Sequence, residues 1–431
     1  MKILKDIQEA RRTVLQRPDF SDDSARHTVE EILKDVREQG DSALTHYTRQ
    51  LDGVALDRFE VTPEEWEEGK RSIDGALAEA LRLAAQRVES FHKKALREGW
   101  VDEKSGLGQL RRPLDRVGLY IPGGRAAYPS TVLMTAIPAR VAGVGQVLVC
   151  TPPGRDGKAS PVVLAAARIA GVDRVFKIGG AQAIGAMAFG TESVPKVDKI
   201  CGPGNIFVAL AKRMVFGYVG VDGIQGPTET LIVADEEADT AFCARDLLAQ
   251  AEHDPLASPL LITPSERLAQ RVCSQVEQLL KGFNEGDAIV QSMKDRGAVI
   301  LAKDMGECID LANEYAPEHL CLLVKDPWRW VSAIRNSGGL FLGEYSPEVM
   351  GDYVAGPSHV MPTAGTARFS SALSTDDFQK TIALVALPQE SLRDLGPTAV
   401  AIAKAEGLPA HAQAVQERLD ALARRAKREG S

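Results

Sequence analysis

Gln250 and His253 stand three apart in LLAQAEHDP, residues 247–255. The segment reads as a helix that Pro255 must soon end, which puts both side chains on one face. A carbonyl oxygen and an imidazole so placed can bind one metal, and such N/O donors suit zinc or manganese better than a soft metal. Equally, His253 can simply cap a helix carboxyl end, where partial negative charge favours it. In YAPEHL, residues 315–320, Glu318 and His319 are adjacent just before a strand, with Pro317 setting the turn. An acid beside an imidazole supplies two proton-transfer groups; the plain alternative is an exposed acid next to a half-buried structural histidine. Residues 350–363, MGDYVAGPSHVMPT, form a loop stiffened by glycine and proline that holds Asp352 and His359. Polar groups clustered in stiff irregular backbone favour a site, although an aspartate in a turn commonly bonds its own backbone. Glu406 and His411 flank Gly407 and Pro409, so one helix ends and another begins between them. Both side chains can point into that gap, or they belong to an ordinary helix hairpin.

For a nucleotide cofactor the chain is less direct, because no G-x-G-x-x-G follows a strand and opens a helix. Three glycine turns after strands take its place: Ile121-Pro122-Gly123-Gly124, Gly179-Gly180-Ala181-Gln182 and Gly202-Pro203-Gly204-Asn205. Each can bring backbone amides to a phosphate at a helix start, and each is also what an ordinary strand-to-helix turn looks like.

The elements that would position these residues follow from periodicity. From 21 to about 97 the chain reads as helices, with apolar residues at helical spacing among many charges in 63–91. From Arg116 the texture changes to short apolar runs alternating with alanine-rich helical runs: VGLYIPGG, PSTVLMTAIPARVAG, QVLVCTPP, SPVVLAAARIAG, RVFKIGG. The alternation resumes after Gly226 with TLIVAD, a helix over 240–252, PLLITP, another long helix, AVILAKD, HLCLLVKD and GGLFLG. It predicts parallel βαβ units and two doubly wound sheets. After Asp376 the strand pattern stops and two helical runs close the chain. No internal repeat of fixed period is found.

Composition narrows the class. A chain of 431 residues is too long for one ordinary core. Its 44% hydrophobic and 26% charged residues are those of a globular protein. A formal net charge of −8 argues against nucleic acid as a partner. The cysteines, Cys150, Cys201, Cys243, Cys273, Cys308 and Cys321, stand far apart with no CxxC pair, which fits a reducing cytoplasm. The charged amino-terminal stretch has no apolar signal region, and no membrane-length apolar run follows, so a soluble, unexported protein is expected.

Together LYIPGG, GGAQAIGAMAFGTESVPKVDKICGPGN, LLAQAEHDP, YAPEHL, GDYVAGPSHVMPTAGTARFSS and EGLPAH, in this order and spacing, resemble the histidinol dehydrogenase family over nearly the whole chain. The resemblance implies an α/β fold of two incomplete Rossmann-like doubly wound domains with small helical amino- and carboxyl-terminal domains. It sets the expected boundaries: a helical segment over 1–20, a first Rossmann-like domain of 21–118 and 229–375 with the metal and catalytic residues, a second over 119–228 for NAD, and a helical domain over 376–431 swapped in a homodimer. It implies one zinc per subunit, held by Gln250, His253, Asp352 and His411, with His411 contributed by the other subunit. Catalysis falls to Glu318 and His319. Substrate contacts fall to Thr228, His359 and Glu406 together with Gln250, His253, Glu318, His319, Asp352 and His411, and NAD contacts to Tyr120, Gln182 and Asn205. The activity implied is oxidation of L-histidinol through the aldehyde to L-histidine with two NAD, in a cytoplasmic enzyme with no membrane or nucleic-acid partner. Two positions depart from the family pattern: Thr228, where serine is usual and the hydroxyl is kept, and Ser358, where asparagine is frequent. An alternative within the class is a related dehydrogenase acting on another alcohol, such as a sulfonated diol. A catalytically silent metal-binding protein is the alternative outside the class, and retention of the ligand and proton-transfer residues counts against it.

Overall fold

Strands in which every residue is buried need helices on both faces. Three runs meet that condition, Glu229–Ala234, Ser258–Thr263 and His319–Leu323. They form the centre of a parallel six-stranded sheet whose order is Lys2–Leu4, Ala298–Leu301, Ser258–Thr263, Glu229–Ala234, His319–Leu323, Gly339–Leu342. The computed structural model from which this is seen describes residues 1–17, 23–123 and 127–429. Side chains alternate across a strand, and the cores divide accordingly. Leu231, Val233, Leu260, Leu320 and Leu322 pack with the helix Met305–Tyr315 on one face. Ile232, Ala234, Leu261, Cys321 and Leu323 pack with the helices Thr240–Ala251 and Glu266–Leu280 on the other.

A second parallel sheet has five strands in the order Arg174–Lys177, Gln146–Thr151, Arg116–Tyr120, Lys199–Cys201, Gly220–Val221. One face packs on the helices Pro129–Val141 and Pro161–Ile169, the other on Gly180–Phe189 and Ile206–Val215. Residues 181–188 are all buried, so the helix Gly180–Phe189 must itself be covered. Val29, Ile32, Leu33 and Val36 of the helix Asp23–Gln39 do this, and a Cβ on Gly185 would lie 3.2 Å from Leu33 and Val36 side-chain atoms. The helix Gly75–Ala95 covers the opposite layer through Leu81, Ala84 and Val88.

Three boundaries therefore change. The resemblance groups 21–118 with the six-stranded sheet; in the structure the helices of this region share cores with the five-stranded one, and the strand Arg116–Tyr120 crosses the expected 118/119 junction. The amino-terminal segment is not helical alone, since Lys2–Leu4 is an edge strand pairing with Ala298–Leu301 before the helix Ile7–Arg12. Nor do strands stop at Asp376: Gln379–Val385 is a strand. Ser21 and Gly124, which figured in the expected helical region and first glycine turn, lie outside the described residues.

Residues 1–96 and 113–378, which carry both parallel sheets, make up one unit; residues 97–112 and 379–431 make up another. The second unit holds an antiparallel pair, Trp100–Asp102 with Leu107–Pro113, in one three-stranded sheet with Gln379–Val385. Its helices Gln389–Ala405 and Pro409–Glu429 are separated at Gly407, whose φ of 73° is left-handed. The Leu408 N–H returns to the Ala403 carbonyl at 2.9 Å, a glycine-terminated helix end followed by proline at the next helix start. Among the described residues no helix is long and apolar enough to cross a membrane. The six cysteines are free and buried.

Candidate functional site

Register alone gathers the first set of residues. His319 opens its strand and pairs with Thr230 on one side and Gly339 on the other, while Glu229 pairs with Ser258. The site therefore lies at the amino ends of the strands. Here the helix Met305–Tyr315 ends at Ala316 with φ 52°, and Pro317 and Glu318 follow. An alanine in the left-handed region is strained. Arg17 holds the turn by donating to the Tyr315 carbonyl at 2.5 Å and the Ala316 carbonyl at 3.2 Å, and it forms a two-pronged ion pair with Glu229 at 2.6 and 2.9 Å.

Glu318 is 7% exposed, and one carboxylate oxygen accepts from the Thr228 hydroxyl at 2.6 Å and the Glu229 N–H at 3.0 Å. Burial pushes its pKa up to about 7, against the pull of His319 and these two hydrogen bonds. His319 is 3% exposed. Its Nδ1–H donates to the Glu229 carbonyl at 3.2 Å, and its ring lies 5.8 Å from that of Phe341 at 29° between planes. Because Nδ1 carries the hydrogen toward a carbonyl, Nε2 is the nitrogen left for chemistry. That atom is buried without a hydrogen-bond partner among the described residues and faces Asp352 Oδ1 at 3.5 Å. Burial would lower the His319 pKa, but Glu318, Asp352 and Glu348 overcome it and hold it up at about 10. For Asp352, burial is outweighed by His319, His359 and His253, and its carboxyl stays below the usual range.

The remaining candidates cluster on these. The Gln250 amide donates to the Thr228 hydroxyl and lies 3.5 Å from His319 Nδ1. The helix carrying Gln250 ends at Ala251, so His253 sits just past it, exposed, with its N–H on the Gln250 carbonyl at 3.3 Å. The shared helix face expected for this pair thus becomes a helix end and the turn after it. Asp352 is likewise not in a loop but in the short helix Glu348–Tyr353. His359 is in the loop, its Nδ1–H donating to the Asp352 carbonyl at 2.8 Å and its Nε2 accepting from the Thr131 hydroxyl at 3.2 Å. Burial lowers its pKa, and both nitrogens are committed, so in this arrangement it braces Asp352 as a neutral ring. Ser358, at the position where an amide is frequent, donates to the Met134 carbonyl at 3.0 Å and accepts from the Val360 N–H at 3.2 Å.

Sequence patterning passed over Arg17, Glu229 and Glu348. Glu348 is 0% exposed, accepts from the Thr230 hydroxyl at 2.6 Å, and is pushed by burial to about 7. Its one legible signal is a spacing of four from Asp352 at a helix start. Among the described residues no group of three or more His, Cys, Asp or Glu side chains could hold a metal. Of the expected ligands in this unit only His253 and Asp352 are of those types. Glu406 and His411 lie in the second unit, both exposed.

A cavity of about 1000 Å³ opens past the carboxyl ends of the five-stranded sheet and is lined by Tyr120, Gln182 and Asn205 among others. Tyr120 ends its strand, and its hydroxyl accepts from the Gly180 N–H at 3.0 Å. Gln182 is 1% exposed with Oε1 buried and without a hydrogen-bond partner among the described residues. Asn205 caps the helix Ile206–Val215 by accepting from the Phe207 and Val208 N–H groups at 3.1 and 3.2 Å. The Gly202 turn before it is required: φ is 115°, and a Cβ would stand 2.2 Å from the Tyr120 carbonyl oxygen. Beneath it the buried Lys212 donates to the Gly202 carbonyl at 2.9 Å and pairs with Asp222, which accepts from the Gly202 N–H at 2.7 Å.

Residues 15–419 match the family model described as histidinol dehydrogenase. A histidinol dehydrogenase of Dehalococcoides mccartyi is 53% identical over 393 residues, covering 91% of this chain and 90% of its own length. That of a second strain is 50% identical over 436 residues, 97% and 100% of the two chains. The crystal structure of histidinol dehydrogenase from Elizabethkingia anophelis superposes with a TM-score of 0.92 at 36% identity, covering 97% of this chain and 98% of that one.

Proposed function

Since the chain belongs to the histidinol dehydrogenase family, we propose that the cluster at the amino ends of the six-stranded sheet oxidises L-histidinol through the aldehyde to L-histidine with two NAD. The observation that supports this most is the buried His319 Nε2, without a hydrogen-bond partner among the described residues and facing Asp352, on a ring whose Nδ1 lies 3.6 Å from Glu318, a carboxyl poised near neutrality. His319 Nε2 takes the proton of the substrate hydroxyl as hydride leaves its carbon for the nicotinamide, giving the aldehyde. Glu318, with a pKa of about 7, takes a proton from water as its oxygen adds to the aldehyde carbon. As water adds, His319 returns its proton to the carbonyl oxygen, which completes the hydrate and frees Nε2 to take a hydroxyl proton again as the second hydride would leave for a second NAD, giving the acid. Thr228 keeps Glu318 oriented, and Gln250 keeps Thr228 oriented.

The donors fit zinc: an imidazole, an amide and a carboxylate that stays ionised form the intermediate N/O set this ion takes. Gln250, His253 and Asp352, with His411 of the partner subunit, would hold it. When bound, zinc orients the substrate and offsets the carboxylate charge that keeps His319 protonated. NAD is assigned to the cavity with Tyr120, Gln182 and Asn205, and Glu406 to the substrate of the partner subunit. The enzyme is assigned to the cytoplasm.

Purified protein given L-histidinol and NAD should form two NADH per histidine; one NADH with the aldehyde accumulating, or none, contradicts the proposal. For the shared site, mixing inactive His319→Asn with inactive His411→Asn chains by refolding should restore activity. No recovery in verified heterodimers would place His411 in its own chain's site.

A further inference from the structure

The cavity at the carboxyl ends of the five-stranded sheet contains a charged group that the assignment above does not use. Asp52 is the last residue of the π-helical turn Thr48–Asp52, which Gly53 ends with φ 72°. Such widened turns redirect side chains and recur at functional sites. Asp52 lines the cavity with Tyr120, Gly180 and Gln182. Its Oδ2 is buried with no hydrogen-bond partner among the described residues, and burial pushes its pKa up to about 6. It is close to the helix start, since a Cβ on Gly179 would come 3.4 Å from Asp52 Oδ1.

A buried acceptor left unsatisfied is costly, and an ionised carboxylate can only accept. Whatever fills this corner must bring donors and no negative charge. Within a dinucleotide, phosphates fail that condition and the vicinal hydroxyls of a ribose meet it. In ordinary dinucleotide-binding folds an acid about 20 residues past the glycine turn serves the ribose. The corresponding strand here, Gln146–Thr151, runs into Pro152-Pro153-Gly154 with no acid at its end. Asp156, a little further on, is exposed and already accepts from the Lys158 N–H at 3.1 Å. Asp52 arrives from the helical layer outside the sheet to occupy the vacant role.

We propose that Asp52 binds the vicinal diol of one ribose of the dinucleotide. This rests on the assignment of NAD to the cavity. If the diol is that of the adenosine ribose, the same charge repels a 2′-phosphate and sets the preference for NAD over NADP.

The test is Asp52→Asn in the full chain, which keeps shape and removes charge. The KM for NAD should rise about tenfold, as loss of a charge-assisted hydrogen bond implies, with kcat at saturating NAD within about twofold and the KM for histidinol unchanged. The thermal midpoint should not fall, because the buried Oδ2 has no hydrogen-bond partner to lose among the described residues. Two NAD analogues identify the ribose, one lacking the 2′-hydroxyl on the adenosine side and one lacking it on the nicotinamide side. One of them should bind wild type as weakly as NAD binds the variant, and the variant should not distinguish that analogue from NAD. Improved use of NADP should accompany only the adenosine outcome. If the variant binds NAD as wild type does, or if it discriminates both analogues as wild type does, the proposal is overturned. It is overturned as well if a lowered midpoint accompanies a uniform loss for NAD and both analogues, which marks a structural role. Wild type that neither binds NAD nor forms NADH would instead defeat the underlying assignment first.

Discussion

In the five-stranded sheet the cavity lies beyond the carboxyl ends of the strands Arg116–Tyr120 and Gln146–Thr151, where helices begin. In the six-stranded sheet the buried acid and imidazole lie at the amino ends, where the helices Thr240–Ala251 and Met305–Tyr315 finish. A helix start offers N–H groups and partial positive charge, which suits a pyrophosphate. A helix end offers carbonyls and partial negative charge, which suits a metal cation or an imidazolium. Ligands of open parallel sheets ordinarily take the carboxyl ends. Under the proposed assignment, one chain using both ends gives an anionic cofactor and a cationic proton-transfer site each the polarity it needs. The backbones differ too. The end proposed for the cofactor places glycines, Gly180 and Gly202, where φ is positive, whereas the described non-glycine residues with positive φ, Ala316 and Ala364, both border the end proposed for catalysis. The latter is braced by the Ala364 N–H on Glu229 at 3.0 Å.

If the two ends divide the work in this way, lesions at one should spare the other. The largest effect is expected for His319→Asn, which should lower kcat by roughly 10²–10⁴-fold. NAD affinity, measured by titration, should stay as in wild type. A matching loss of NAD binding would break the separation.

At the other end, Lys212→Ala leaves Asp222 buried without its counter-charge and should cost about 3–5 kcal/mol in denaturant unfolding. It should also weaken NAD binding through the Gly202 turn. Zinc content of the folded fraction should be unchanged; zinc lost in parallel with NAD would show that the two ends are not separable.

A smaller effect comes from His92 in the helical layer over the five-stranded sheet. Both ring nitrogens are buried without hydrogen-bond partners among the described residues, and burial lowers its pKa from 6.5 to about 4. Between those values the unfolded chain binds a proton that the folded chain does not. Stability is therefore fully present above pH 6.5 and falls as pH drops toward 4, by at most about 1.4 kcal/mol per pH unit. Unfolding midpoints from pH 7 to 5 should show this loss in wild type and less of it in His92→Phe. The catalytic pH profile should not follow it.

What could be read from sequence tracks how locally each feature is encoded. Fully apolar strands alternating with helices announce parallel sheets, and Glu318 beside His319 is visible because the two are neighbours. The helices after residue 22 show an apolar face but not which sheet it covers, and the grouping with the six-stranded sheet that the resemblance implies differs from the cores they share with the five-stranded one. Gln379–Val385 is mostly exposed and lacks the apolar signature of the interior strands. The Arg17–Glu229 pair joins residues 212 positions apart, and nothing local marks either. Tyr120, Gln182 and Asn205 came from resemblance alone, since their glycine turns are indistinguishable from ordinary strand-to-helix turns.

The division of labour at the catalytic end is the claim on which the rest depends, and single-turnover NADH formation at saturating NAD tests it most directly. Glu318→Gln should release its first NADH from L-histidinol at close to the wild-type rate and then stall, because the aldehyde is not hydrated. His319→Asn should be slow from the first hydride onward. Equal slowing of the first NADH in both variants would contradict the account, and so would a Glu318→Gln enzyme that completes both oxidations normally.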